Sequence, residues 1–271
     1  MPTVTDIRRQ AGETPITMLT AYDAPTARIV DEAGIDVILV GDSMGNAVLG
    51  MDSTLPVTVD EMLSHTAAVA RGAEEALIVA DMPFLSYGTS EAESIRQCGR
   101  MLKEADADAV KLESGPHTVD LTDRLTDLGI PVMAHLGLTP QHVNQLGGYG
   151  RQGTTEETAN RILELAREHE RAGAFSLVLE HVPANVAERI TEAIDIPTIG
   201  IGAGPDTDGQ VLVITDVFGL ERESPSFSKQ FGEVGAEMES AVEDFRAAVD
   251  GGDFPAEEHY HVQSDLGDFD R

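Results

Sequence analysis

Several residue types that mark large protein classes are rare in this sequence. The chain of 271 residues has a single cysteine, Cys98, which excludes a disulfide within the chain and a zinc site made of cysteines. No run of about 18 apolar residues occurs, so no transmembrane helix is predicted. The first residues, MPTVTDIRRQ, lack the basic and then apolar profile of a signal peptide. We therefore expect a cytoplasmic protein without a membrane partner.

Lysine is also rare, and the chain is strongly acidic. Only three lysines are present (Lys103, Lys111 and Lys229), and 18 Lys plus Arg stand against 48 Asp plus Glu, for a net charge of −30. We expect no nucleic-acid partner, because binding to phosphates depends on Lys and Arg. The acidic residues are spread along the chain, which is typical of a salt-adapted protein. At 1 M salt the Debye length is only about 3 Å, so surface repulsion is screened. An ordinary acidic protein is the alternative.

Short apolar runs alternate with longer amphipathic stretches along most of the chain. Hydrophobic residues make up 41% of the sequence, enough for a packed core. The short runs are rich in Val, Ile and Leu, as expected of strands buried on both faces of a parallel sheet. Eight strands with helices between most of them predict a (β/α)8 TIM barrel, with a doubly wound open sheet as the alternative. The predicted strands are 16–21, 37–41, 77–81, 109–113, 131–136, 176–180, 197–202 and 210–215, and the clearest predicted helices are 24–33, 59–71, 91–104 and 156–172.

The barrel is predicted to be one domain, residues 1–250, followed by an acidic C-terminal tail, residues 251–271. Gly34, Gly129 and Gly173 each follow a helical stretch and precede a strand, where a left-handed residue is needed. No internal repeat or low-complexity linker divides the chain.

Polar residues stand at the ends of five successive predicted strands. In a TIM barrel the carboxyl ends of the strands carry the active site. Asp42, Asp81, Glu113 and Glu180 end four of these strands, and His135 lies on the fifth. Any one of them could be a turn former or a helix cap. Four carboxylates at one barrel mouth, however, repel each other strongly unless a cation lies among them or some are protonated.

The residue types indicate which cation and which ligand the mouth binds. Asp42, Asp81 and Glu113 offer hard oxygen ligands, which suit Mg²⁺ best and leave Mn²⁺ as the alternative. Lys111 lies two residues before Glu113, so both side chains point to the same face of their strand. A lysine inside a barrel is costly unless paired, which favours an anion-binding role. Ser43 adds a hydroxyl and a backbone N–H beside Asp42.

The sequence around these positions resembles that of the ketopantoate hydroxymethyltransferase family. The resemblance runs in order from about residue 16 to residue 231, and GDS followed by DSTLPVT is its most specific part. The segments that carry it are VGDSMGN (40–46), DSTLPV (52–57), HTAA (65–68), ADMPF (80–84), VKLE (110–113), HLGLTPQ (135–141), GGY (147–149), LVLE (177–180), IGIGAG (199–204) and TDGQ (207–210).

The resemblance implies a barrel of the phosphoenolpyruvate/pyruvate type and a one-carbon transfer. A hydroxymethyl group would pass from 5,10-methylenetetrahydrofolate, or a related pterin, to 3-methyl-2-oxobutanoate, giving 2-dehydropantoate for pantothenate and coenzyme A synthesis through a Mg²⁺-stabilised enolate. It also implies a large homo-oligomer. Transferred position by position, the roles are Mg²⁺ ligands for Asp42, Asp81 and Glu113, substrate binding for Asp42, Ser43, Asp81, Lys111 and His135, and catalytic proton acceptor for Glu180.

Two other functions stay open at this stage. An enzyme of the carbon–phosphorus mutase or isocitrate-lyase type would also use Mg²⁺ and enolates, but it would carry a Lys-Lys-Cys-Gly-His-like lid, which this sequence lacks. A catalytically inactive barrel that binds a metabolite would have lost a base or a ligand, whereas all the expected groups are present. The segment 221–228 lacks the basic residues expected near a folate entrance.

We expect the folded state to depend on salt. The melting temperature should rise as KCl is increased from dilute buffer to molar concentration, because screening relieves repulsion among the acidic side chains. Thermal denaturation followed by circular dichroism measures it. Full thermal stability in dilute buffer would contradict the salt-adapted interpretation.

Overall fold

Eight parallel strands close into a barrel in a computed structural model that describes residues 2–220 and 225–263. Each strand pairs with the next one along the chain, and β8 pairs with β1. The closed order confirms the predicted TIM barrel and excludes the doubly wound sheet. No helix among the described residues is long and apolar enough to cross a membrane. The strands are β1 Ile16–Thr20, β2 Val37–Val40, β3 Leu77–Asp81, β4 Ala109–Glu113, β5 Val132–Gly137, β6 Ser176–Glu180, β7 Thr198–Ile201 and β8 Gly209–Leu212.

Helices follow most of the strands and pack against the outside of the barrel. Five of the eleven α-helices in the described residues begin at a residue whose side chain caps the first turn; Thr58 and Glu61, for example, form a reciprocal capping box. Between β7 and β8 the described chain forms no helix. The helices are α1 Val4–Arg9, α2 Ala24–Glu32, α3 Met44–Ala47, α4 Val59–Ala70, α5 Glu91–Ala105, α6 Val119–Asp127, α7 Val143–Leu146, α8 Glu156–Arg171, α9 Ala184–Thr191, α10 Ile214–Phe218 and α11 Val234–Gly251, with 3-10 turns at Pro116–Thr118, Pro140–His142 and Glu257–His259.

The core has an inner and an outer part, as alternation of side chains along each strand requires. One set of strand residues, which includes Met18, Val79 and Ile199, fills the barrel interior. The alternate residues, such as Ile38 and Val40, pack against the helices. This rigid frame fixes the direction of every side chain at the strand ends.

Some predicted strand bounds match the structure, and the largest difference is at the end of β8. Strands β3, β4 and β6 have the predicted bounds. Strands β5 and β7 begin one residue later than predicted, after a proline that has no N–H to donate to the ladder. Strand β8 ends at Leu212 instead of residue 215, because α10 begins at Ile214. The Ile214 N–H donates to Thr20 Oγ1 at 2.9 Å, which directs the chain away from the sheet.

The outer face of β1 and β8 differs from the rest of the barrel because no helix of the described residues fully covers it. Thr17 and Gln210 on this face are exposed, and Leu19 and Leu212 are half-buried. Helix α11, which follows β8 in the chain, buries none of its residues. The division into residues 1–250 and a tail at 251–271 stays a prediction; residues 264–271 of that tail, and residues 221–224 of the acidic 221–228 segment, lie outside the described residues.

A buried histidine joins α8 to α6. His169 is fully buried, and its Nδ1 lies 3.1 Å from Thr122 Oγ1. Burial lowers the pKa of His169 to about 4, with a smaller effect of His117 in the same direction. The imidazole is therefore neutral in the folded protein at neutral pH.

This histidine should destabilise the fold as the pH falls. Its folded pKa lies below its unfolded value of about 6.5, so the unfolded chain takes up the proton first. The stability it contributes is complete above about pH 6.5 and is lost progressively towards pH 4. The His169→Gln variant should therefore lose about 2–3 kcal/mol less than the parent between pH 7.5 and pH 4.5 in urea titrations. Parallel curves for the two proteins would contradict this.

Candidate active site

The seven residues predicted from the sequence meet in one cavity at the carboxyl ends of the strands. The cavity has a volume of about 530 Å³. Five of the seven side chains belong to residues at most 5% exposed, while Ser43 and Glu180 are half-buried. The seven are Asp42, Ser43, Asp81, Lys111, Glu113, His135 and Glu180.

Four of these side chains form a continuous line across the mouth, from β3 to β6. Lys111 Nζ lies 2.6 Å from Asp81 Oδ1 and 3.3 Å from His135 Nδ1. His135 Nε2 in turn lies 3.1 Å from Glu180 Oε2, although the two are not aligned as a full hydrogen bond. Register brings the first two together, because Asp81 pairs with Lys111 across β3 and β4. His135 lies two residues beyond Met133, the partner of Lys111, and Glu180 lies two residues beyond Val178, the partner of His135.

The line fixes the tautomer of His135. A lysine ammonium only donates, so Nδ1 of the neutral ring must accept from Lys111. The ring proton then resides on Nε2, the nitrogen that faces Glu180. His135 therefore presents a proton to the Glu180 carboxylate and orients it.

Gly137 lets Glu180 reach this position. Its φ is +98°, and a Cβ built on it would lie 2.2 Å from the backbone oxygen of Glu180. Any other residue here would push β6 away from β5.

A second network separates Asp42 from Glu113, and its centre is Gln141. The Gln141 side-chain N–H groups donate to Asp42 Oδ2 at 2.8 Å and to the Met82 carbonyl at 2.9 Å. The backbone N–H of Gln141 donates to Glu113 Oε2 at 2.9 Å. One residue of the β5 loop thus contacts the ends of β2, β3 and β4. The second oxygens of Asp42 and Glu113 accept no hydrogen bond from the described residues.

Tyr87 completes the network. Its hydroxyl donates to Gln141 Oε1 at 2.8 Å and accepts from the Glu113 N–H at 3.1 Å. Because Asp42 and the Met82 carbonyl can only accept, the amide of Gln141 has one orientation that satisfies all partners.

Burial and neighbouring charges shift the pKa values of the acidic groups at the mouth. Burial, followed by Asp81 and Glu113, raises the pKa of Asp42 well above its ordinary value. Burial raises the pKa of Glu113 to about 7, against the opposing effects of His135 and Lys111. Burial alone would lower the pKa of Lys111, but the three carboxylates outweigh it and raise that pKa. The mouth therefore holds more negative charge than its one ammonium balances.

Ser43 is held by a tyrosine. The Tyr22 hydroxyl and Ser43 Oγ are 2.9 Å apart, and burial raises the pKa of Tyr22 to about 12. The phenol therefore stays protonated and can donate to Ser43, which leaves the serine hydroxyl free to donate into the cavity.

Sequence reasoning missed Gln141, Tyr87 and Tyr22. Gln141 is the last residue of the HLGLTPQ segment, so the resemblance pointed to the segment but gave no role for the amide. Tyr22 directly follows the predicted strand 16–21 and Tyr87 follows no strand end, but only the folded chain shows what the two hydroxyls contact. Among the described residues, no three His, Asp, Glu or Cys side chains form a ready-made metal cluster.

Comparisons with known proteins agree with this architecture. Residues 2–257 match the model of the family described as ketopantoate hydroxymethyltransferase. Among solved structures, phosphoenolpyruvate phosphomutase from Streptomyces platensis subsp. rosaceus superposes with a TM-score of 0.63 at 15% identity, covering 96% of this chain and 92% of that chain. At that identity the likeness shows the fold alone, a closed (β/α)8 barrel.

Curated relatives match over nearly the whole chain. The 3-methyl-2-oxobutanoate hydroxymethyltransferase of Halobacterium salinarum is 70% identical over 273 residues, and that of Haloarcula marismortui is 68% identical over 268 residues, with 99% of each chain covered in both cases. Such halophilic archaeal relatives agree with the salt-adapted composition. The chain is thus an enzyme of the hydroxymethyltransferase type. It belongs to the ketopantoate hydroxymethyltransferase family.

Proposed function

We propose that this protein transfers a hydroxymethyl group from 5,10-methylenetetrahydrofolate, or a related reduced pterin, to the enolate of 3-methyl-2-oxobutanoate. The product, 2-dehydropantoate, leads to pantothenate and coenzyme A. The observation that carries the proposal is the line Asp81, Lys111, His135 and Glu180, which joins an anion-binding group to a carboxylate base across one cavity.

Lys111, Ser43 and His135 would bind the 2-oxo acid. The Lys111 ammonium stays charged because Asp81 holds its proton, so it can balance the substrate carboxylate. The Ser43 hydroxyl, fixed by Tyr22, can donate to a substrate oxygen. The apolar part of the cavity, which includes Leu138 and Val178, suits the branched alkyl group.

The residues at the mouth also fit a divalent cation. Three buried carboxylates exceed one ammonium in charge, and Asp42 and Glu113 each keep one oxygen without a hydrogen bond from the described residues. Mg²⁺ typically retains several waters and needs only one or two carboxylates, so a three-ligand cluster is not required. Asp42, Asp81 and Glu113 would hold it. A cation bound there supplies the positive charge that stabilises an enolate.

Glu180 would remove the C3 proton of the substrate. Its carboxylate stands apart from the three acidic residues that would hold the cation and is oriented by His135. A carboxylate that ligates no metal keeps its lone pairs for the proton. The enolate carbon then forms a bond to the one-carbon unit of the donor. The bonds between that unit and the donor nitrogens break, water supplies the hydroxyl oxygen of the product, and the reduced pterin leaves.

We expect proton exchange at C3 without any pterin donor. Incubation of 3-methyl-2-oxobutanoate in D₂O with the enzyme and Mg²⁺ at high salt should remove its C3 proton signal in NMR spectra. EDTA should stop the exchange, and Glu180→Gln should slow it by about 10²-fold or more, because the base is lost. Binding of the 2-oxo acid without exchange would instead support an inactive barrel.

Gln141 should maintain the separation of Asp42 and Glu113 before any cation binds. The Gln141→Met variant removes the donor of Asp42 and of the Met82 carbonyl and one acceptor of the Tyr87 hydroxyl, which keeps Glu113 as a partner. The free energy of unfolding should therefore fall by about 2–4 kcal/mol. Urea titration in the presence of EDTA measures it. The exposed Gln145, changed to Met, is the matched control and should leave stability within about 0.5 kcal/mol. Equal stabilities for the two variants would contradict the role of the amide.

We propose that this chain binds further copies of itself through α11. Met238, Val242, Phe245 and Val249 are 57%, 67%, 59% and 47% exposed and lie three or four residues apart, on one side of the helix. The uncovered outer face of β1 and β8 borders an apolar groove of about 700 Å³. Helix α11 of one copy would cover this groove on a second copy, which removes both apolar surfaces from water.

Light scattering after gel filtration tests this association at the working salt concentration. The parent chain should elute as an oligomer. Val242→Glu with Phe245→Glu should dissociate it, because the two carboxylates would be buried without a partner. Glu243→Gln on the same helix is the control that should remain assembled. A monomeric parent chain would exclude the proposal.

A further inference from the structure

Asp216 is a carboxylate in the cavity that the chemistry above does not use. It lies in α10, is only 6% exposed and lines the same cavity as Glu180. Within residues 2–220 and 225–263, its side-chain oxygens have no hydrogen bond or ion pair. A carboxylate removed from water without a partner is unfavourable, so this group indicates a ligand that brings N–H donors.

Phe227 is held at the edge of the cavity by two unusual backbone positions. Gly202 has φ +61°, and a Cβ built on it would lie 2.8 Å from Phe227 Cγ, so only glycine allows the ring to sit there. His181, directly after Glu180, has φ +49°, which is strained for a residue with a side chain. Its ring lies 5.3 Å from that of Phe227, at 50°.

Beyond Phe227 lies a second, open pocket of about 750 Å³. Phe227 lines both this pocket and the inner cavity. Arg151 lies in the outer pocket and forms no ion pair with any described residue, although the chain carries 48 acidic side chains. The neighbouring Gln152 N–H donates to the His181 carbonyl at 3.0 Å, which ties this segment to the end of β6.

We propose that Asp216, Phe227 and Arg151 form the subsite of the one-carbon donor, a reduced pterin with an anionic tail. The inference rests on the proposed function. The three residues run from the inner cavity outward as a hydrogen-bond acceptor, an aromatic face and a cation. A reduced pterin with its tail offers the complementary groups in the same order: N–H donors, a flat ring and carboxylates.

Each contact has a chemical reason. The amino-pyrimidinone edge of a pterin presents adjacent N–H donors, which one carboxylate accepts as a pair. Its bicyclic ring packs on the Phe227 face, with His181 behind it. The carboxylates of the tail extend into the outer pocket and meet the guanidinium of Arg151. The one-carbon unit, which joins N5 and N10 between the ring and the tail, then lies beside Phe227 at the edge of the cavity that Glu180 lines.

Steady-state kinetics with both substrates separate this subsite from the rest of the mouth. For Asp216→Asn we expect the donor KM to rise about tenfold or more, a much larger change than in the KM for 3-methyl-2-oxobutanoate or in the donor-free exchange rate. Arg151→Gln should raise the donor KM several-fold at the lowest salt that keeps the protein folded, and less at molar salt, because the exposed guanidinium is screened. Arg167→Gln, on the exposed side of α8, removes the same charge and is the matched control.

Calorimetric binding of two probes identifies which part of the donor each residue contacts. Tetrahydrofolate carries the tail, whereas 6-methyltetrahydropterin lacks it. Arg151→Gln should weaken only tetrahydrofolate, and Asp216→Asn should weaken both. If neither probe binds the parent chain, or if both variants bind the probes as the parent does, the subsite is wrong.

Failure of the proposed function has a different signature. Absence of donor-free exchange in the parent protein would overturn the enolate chemistry, while the two binding probes would still decide the subsite. A folded Asp216→Asn variant with normal exchange and an unchanged donor KM would overturn the subsite and leave the enolate chemistry intact.

Discussion

The mouth of this barrel depends on burying three carboxylates beside one ammonium. At the separations seen here, like charges out of water repel strongly, and the fold distributes the compensation over several elements. Lys111 balances Asp81, while Gln141 supplies its side-chain N–H to Asp42 and its backbone N–H to Glu113. Burial is the first cause that raises the pKa of Asp42 and of Glu113, and neighbouring carboxylates raise both further. A divalent cation held by these carboxylates would offset their charge.

Strand register makes this arrangement possible. In a closed parallel barrel, register partners on neighbouring strands are adjacent, as Asp81 and Lys111 are. His135 lies two residues beyond Met133, the partner of Lys111, and Glu180 lies two residues beyond Val178, the partner of His135, so the line rises as it crosses four of the eight strands. The loops then add groups that the strands cannot supply. Gln141 reaches the mouth from the turn after β5, and Ser43 begins the short helix after β2.

The fold and the seven strand-end residues could be predicted because both are local signals. An apolar run that ends in a carboxylate needs no knowledge of the rest of the chain. Gln141 could not be assigned a role in this way, because its partner Asp42 is 99 residues away and only barrel closure brings them together. The end of β8 was missed for a related reason: Val213 and Ile214 read as strand residues, but a hydrogen bond from Ile214 to Thr20, 194 residues earlier, turns the chain into α10. The apolar spacing in α11 predicts burial, yet among the described residues none of this helix is buried, although Phe245 contacts the ring of Phe254.

The burial of Lys111 has a consequence for a chain with so acidic a composition. Dissolved ions screen charges that face water, as most acidic side chains of the described residues do, whereas Lys111 and Asp81 are almost sealed from solvent. Salt would therefore act on the surface of this enzyme and leave the electrostatic field at the barrel mouth almost unchanged. Evolution could adjust the surface to the salinity of a habitat while the chemistry at the barrel mouth stayed the same.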